Sequence, residues 1–104
     1  MTTEVTLFRA CYTVGSKHSI DLDLLVDPTR NVVFGKASIQ DGPELDVSGS
    51  YLDGPPIAVS LTGTQFLIKL VITSWDNGGT ADYSYVYNGT VVIGMGAKVT
   101  HRDC

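Results

Sequence analysis

Basic residues are too few and too scattered in this chain to form a nucleic-acid surface. Seven lysines and arginines stand against eleven acidic residues, a formal net charge of −4, whereas holding a phosphate backbone rests on clustered cations that displace counterions. Long apolar runs are also missing. No stretch of about 18 apolar residues could cross a bilayer as a helix, and Met1-Thr2-Thr3-Glu4 has neither the basic nor the apolar region of a signal peptide. A cytoplasmic product is therefore expected, with non-classical export also consistent with the sequence. Histidine is scarce: His18 and His101 both fall beside turns or termini. No nucleophile motif, no metal-ligand spacing and no cofactor fingerprint occurs, so no cofactor and no metal site is expected.

Cysteine is nearly absent. Cys11 lies in the first apolar run and Cys104 at the end of the sequence. Were the first and last strands neighbours, a bond between them would close so long a loop that the chain-entropy argument gives roughly 4 to 5 kcal/mol. A reducing compartment and a frayed tail favour instead two free thiols, Cys11 packed as a small hydrophobe and Cys104 exposed.

What the chain has in quantity is strand vocabulary. With 104 residues and 43% hydrophobic content, residues 1–104 are one domain with a modest core. Eight β-runs are expected, near Val5 to Val14, Ser19 to Val26, Val32 to Ile39, Leu45 to Leu52, Ile57 to Thr62, Phe66 to Trp75, Thr80 to Tyr87 and Val91 to Thr100. Gly15-Ser16, Asp27-Pro28, Asp41-Gly42-Pro43, Asp53-Gly54-Pro55-Pro56 and Gly63 punctuate them. This cadence predicts an all-β fold, a single antiparallel barrel or strongly curved sandwich of about eight strands. Gly35, Gly49, Gly94 and Gly96 inside the runs mark bulges or bends that let a sheet curl, which tilts the expectation toward a barrel.

The last third is the most constrained. Tyr87-Asn88-Gly89-Thr90 places Asn-Gly where a type I′ turn needs positive φ at both central residues. Pairing Tyr87 with Thr90 sets Val86 against Val91, Tyr85 against Val92, Ser84 against Ile93, Tyr83 against Gly94 and Asp82 against Met95. One face then carries Tyr83, Tyr85, Tyr87, Val92, Gly94, Gly96 and Lys98, and the other Val86, Val91, Ile93, Met95, Ala97 and Val99, which reads as core. The preceding run has its apolar phase on Phe66, Ile68, Leu70 and Ile72. An odd loop through Asp76-Asn77-Gly78-Gly79 would put that phase with Val86, Ile93 and Met95; an even loop would put it with the tyrosines. The odd loop is favoured because it alone gives one consistently apolar face. The tyrosines would then lie outside the core, beside Trp75, Thr73 and Lys69.

Leu22-Asp23-Leu24-Leu25-Val26-Asp27-Pro28 with Val33-Phe34-Gly35-Lys36-Ala37-Ser38-Ile39, and Trp75 with Gly79-Thr80-Ala81-Asp82-Tyr83-Ser84-Tyr85, resemble the opening and closing hairpins of a family of small uncharacterised bacterial domains, a domain of unknown function. The resemblance covers about half the chain. It implies a bacterial all-β domain and brings no activity or site residues with it.

The constellation singled out is Trp75, Tyr83, Tyr85 and Tyr87 with Lys69. Rigid aromatics on a strand surface can stack on a carbohydrate or other small apolar ligand at low entropic cost, or form a homo-oligomer interface. Tyrosine is also a favoured strand residue, and one opposite Gly94 can simply cover bare backbone. Asp21, Asp23, Asp27, Asp41, Glu44, Asp46 and Asp53 could gather a hard cation, yet they match no known loop and several sit where turns want Asp. Asp82 could act as a general acid or base if buried; otherwise it reaches water or a backbone N–H. Ser16-Lys17-His18 can be drawn as a reactive cluster, but adjacent loop residues rarely share the geometry a nucleophile and its base require, and Asn88-Gly89-Thr90 is explained by its turn. The readings are a non-catalytic binding module, a self-associating β domain using the aromatic face, and a small barrel enzyme with Asp82 in a tyrosine-lined cavity, which would need the even register.

Overall fold

The structure, a computed structural model, describes residues 6–16, 19–39 and 42–104. Val5, Lys17, His18, Asp41 and the segment Met1 to Glu4, on which some of the expectations above fall, lie outside the described residues. The chain forms β1 (Phe8–Val14), β2 (Ile20–Asp27), β3 (Val32–Ile39), β4 (Glu44–Leu52), β5 (Ile57–Gly63), β6 (Phe66–Ile72), β7 (Gly79–Tyr87) and β8 (Thr90–Arg102). Each strand pairs antiparallel with the next and β1 returns to β8, so of the two expected all-β forms the chain takes the closed eight-stranded barrel.

The period-2 alternation of the sequence drives this closure. Phe66 to Ile72 alternate buried and exposed at every step, and Ile20, Leu22, Leu24 and Val26 do the same inward work on β2. Leu22, Leu24, Val33, Leu61, Ile68 and Leu70 are fully buried in one interior cluster, each worth about 1.5 to 3 kcal/mol of removed apolar surface. Turn chemistry sets the corners. The buried Asp27 carboxylate accepts from the Thr29 and Arg30 N–H groups at 3.0 and 3.3 Å, and Asn88 and Gly89 have φ of 51° and 74°, the double positive φ of the expected type I′ turn.

Two structural expectations are corrected. The first is the register of β6 against β7. Ile72 lies opposite Gly79 across the six-residue connection Thr73 to Gly78, an even loop, so Phe66, Ile68 and Leu70 share the interior with Tyr83 and Tyr85. The odd register assumed that the aliphatic side of the hairpin is core. Tyrosine rings fill the interior instead, and Val91, Ile93 and Met95 are exposed at 62%, 66% and 75%. The pairs Tyr83–Gly94 through Tyr87–Thr90 stand as expected, but a bulge interrupts the ladder between Ala81 and Tyr83. Gly96 there has φ of 63°, a value an L side chain resists. The inserted residue reverses the phase, which is why Ala97 and Val99 pack inward while Ile93 and Met95 point out.

The second concerns the thiols. Cys11 and Cys104 form a disulfide, with Cα atoms 5.4 Å apart. Barrel closure makes the first and last strands neighbours, with Cys11 opposite Arg102, and two further residues bring the chain back over Cys11. The expectation of two free thiols discounted that adjacency.

Candidate functional site

The barrel has two unlike ends. β7 runs from Gly79, beside the connection that holds Trp75, to Tyr87, and eight strand steps carry it roughly 26 Å. Trp75 and the tyrosines are thus separated along the barrel.

At the Trp75 end the aromatic side chains pack on one another. The Tyr12 hydroxyl donates to the Trp75 carbonyl at 2.7 Å. The Trp75 ring meets Tyr51 edge-on at 5.0 Å and Phe8 at 5.6 Å, arrangements that align a ring edge with a neighbour's face. Tyr12 is wholly buried and also meets His101 edge-on at 5.8 Å. Burial, and secondarily the Asp76 carboxylate, push the Tyr12 phenol far above its ordinary range. Tyr51 is raised in the same sense, by burial first and then by Asp53 and Asp27.

At the other end the rings form a stair. Tyr85, buried, stacks on Phe66 at 6.3 Å and 22° and on Tyr83 at 6.0 Å and 18°. Tyr83 is half-buried and lies across Gly94, where an added Cβ would fall 2.3 Å from its ring; the bare strand is covered as the sequence allowed. Tyr87 reaches over the mouth toward the β3–β4 connection, so close that a Cβ on Gly42 would come 3.3 Å from its ring. Leu45 and Val92, both half-buried, complete this rim.

The five residues singled out from the sequence therefore fall in three places. Tyr83, Tyr85 and Tyr87 stay together, inside the barrel rather than outside it. Trp75 plugs the opposite end. Lys69 is exposed on the outer wall, opposite Asp82. Asp82 is exposed too, and its Oδ1 accepts from the Gly96 N–H at 2.8 Å. The enzyme reading is corrected at this residue: the even register brings the tyrosines inward and by the same alternation turns Asp82 out, where it buttresses the bulge. Phe66 and Gly42 were missed as partners of the tyrosines. The Phe66 phase was visible, and the even register would have placed it against Tyr85.

The acidic residues of the first half are mostly engaged locally. Arg9 forms an ion pair with Asp23, Lys36 with Asp46, and the Thr13 hydroxyl donates to Asp21 at 2.9 Å. Among the described residues one group of possible metal ligands converges, Cys11, Asp23 and Cys104, and its two sulfurs are joined in the disulfide.

No family model matches the chain, and no curated protein matches it. Among solved structures it is similar to bradavidin, with a TM-score of 0.55 and 14% identity over 92% of this chain and 82% of that one. The shared feature is the closed eight-stranded antiparallel barrel. At this identity the likeness speaks to the backbone alone.

Proposed function

We propose that this chain is a non-catalytic binding module that takes a small ring-bearing ligand, a carbohydrate or other compact apolar molecule, at the tyrosine end of the barrel. The observation that carries the reading is the stair of near-parallel rings from Phe66 through Tyr85 to Tyr83, buried at one end and half-open at the other. Such a stack presents a flat, rigid, amphipathic surface whose conformational entropy is already lost in the fold, so a planar or C–H-faced ring adds to it at small further cost. At the opposite end the Trp75 and Tyr51 rings pack edge to face on each other, which favours the tyrosine end, partly covered by Tyr87, as the side of entry.

Native mass spectrometry of freshly purified protein, followed by calorimetric titration with monosaccharides and small aromatic ring compounds, tests this. The expected result is a retained mass or a saturable heat that Tyr83→Ala and Tyr87→Ala abolish while the circular dichroism spectrum is unchanged. Binding that survives both substitutions, or no binding by any of these compounds, overturns it.

A further inference from the structure

Strand β8 outruns its neighbour. Among the described residues β1 pairs with it only from Val99 to Arg102, and the last main-chain link across the seam is from the Gly15 N–H to the Lys98 carbonyl at 2.8 Å. From Ala97 back to Thr90, β8 has β7 on one side and, among the described residues, no strand on the other. The direction of the main-chain groups along this free edge follows from one bond. The Val86 N–H donates to the Gln65 carbonyl, on the β6 side, at 3.1 Å. Antiparallel alternation then turns Tyr83, Tyr85 and Tyr87 toward β8, and their partners Gly94, Val92 and Thr90 toward β7. Val91, Ile93 and Met95 must direct their N–H and C=O groups off the open edge.

The same three residues carry the exposed aliphatic stripe, and the segment Thr90-Val91-Val92-Ile93-Gly94-Met95-Gly96-Ala97 contains no charge and no proline. Soluble proteins blunt a free edge with lysine, proline or a very short strand. Here a bulge at Gly96 ends the edge, but the five residues before it are left plain. Leu67 and Val71 extend the apolar surface onto β6, and a shallow groove between β6, β7 and β8 runs beside Ile93 and Met95.

We infer that a second copy of this chain covers the edge, the two β8 strands pairing antiparallel about a two-fold axis at Ile93. The occupant follows from the register. With Ile93 opposite its own copy and Val91 opposite the partner's Met95, every edge-facing residue meets an edge-facing residue, and all six main-chain groups of the three residues find partners. The three side chains meet their own kind on one face, and an uncharged segment meets itself without like-charge opposition. The pairing strand shares Val92 and Gly94 with the tyrosine mouth, but the dimer contact follows from main-chain direction and register and is read by oligomeric state, so its failure is distinguishable from that of the ligand reading.

Sedimentation velocity over a micromolar concentration series, combined with residue-resolved amide hydrogen exchange, tests the inference on the unmodified chain. The expected result is a dimer in which the Val91, Ile93 and Met95 amides become protected as concentration rises. Ile93→Lys, at a side chain already in solvent, should give a monomer with an unchanged circular dichroism spectrum, and Leu67→Lys on β6 should remain dimeric. A chain that stays monomeric throughout, with or without another polypeptide bound, overturns the inference. So does a dimer whose three amides exchange freely, or one dissolved by Leu67→Lys and spared by Ile93→Lys.

Discussion

The Trp75 end and the tyrosine end of the barrel are built from the same kind of residue to opposite effect. At the first, Trp75, Tyr51, Phe8 and Tyr12 meet edge to face and by a hydroxyl-to-carbonyl bond, and the covalent Cys11–Cys104 link lies nearby on the β1–β8 seam. At the second, Phe66, Tyr85 and Tyr83 lie nearly parallel and present faces rather than edges. Edge-to-face contacts satisfy a ring on both its positive rim and its negative face, while a parallel stack leaves its last face unsatisfied. Aromatic content alone thus distinguishes nothing; ring orientation separates a plug from a receptive surface.

This contrast can be broken most severely at the closed end. Cys104→Ser, read by urea denaturation, should cost about 4 to 5 kcal/mol, since the bond closes a loop of sequence separation 93; a loss near zero would assign that end's stability to packing alone. Trp75→Ala removes a half-buried ring and its edge contacts, and should cost about 2 to 3 kcal/mol, at or just below the range of fully buried aromatics. Tyr12 sharpens the comparison through pH. Its phenol titrates higher in the fold than in the unfolded chain, where the value is about 10, so its contribution is intact below about pH 10 and is lost as pH rises further toward the folded value. The melting temperature of the unmodified protein should therefore fall more steeply above pH 10 than that of Tyr12→Phe, which should be about 1 kcal/mol less stable at neutral pH for want of the bond to Trp75. Asp82→Ala loses the contact to the Gly96 N–H, about 1 kcal/mol by denaturant titration, with ligand binding unchanged. The smallest effect on stability belongs to Tyr87→Ala, less than about 1 kcal/mol, and it should carry the largest loss of binding.

Much of the fold was legible before any coordinates. Strand positions followed from alternation, and every expected run overlaps a described strand; the Asn88-Gly89 turn gave five of the β7–β8 pairs because its geometry admits one register. The phase of β6 against β7 was not legible, since the Thr73 to Gly78 connection has no turn signature that counts its residues. Ranking faces by aliphatic content then chose wrongly, because Tyr85 buries fully, and Tyr83 and Tyr87 in part, when each finds a glycine or another ring to lie against. The conflict was itself informative. A stripe of Val91, Ile93 and Met95 reads as core and sits in water, which is the mark of a surface awaiting cover. The bulge was foreshadowed by Gly96, but nothing in the residue order said that it would fall between Met95 and Ala97 and present the Gly96 N–H to Asp82. The disulfide was visible only through topology: sequence separates its ends by nearly the whole chain, and closure of the sheet makes them neighbours.

That bond has a consequence for how the molecule can be cut. Cys11 precedes seven of the eight strands and Cys104 follows the last, so the link turns almost the entire polypeptide into a covalent ring. A protease that nicks any one surface turn between them opens the ring into a line without releasing a fragment, and the nicked product would run as a single species until a thiol reductant separates its two pieces. Continuity of the main chain at any one turn matters correspondingly little to the barrel: a break at the Asn88-Gly89 tip would leave every strand tethered to its neighbours.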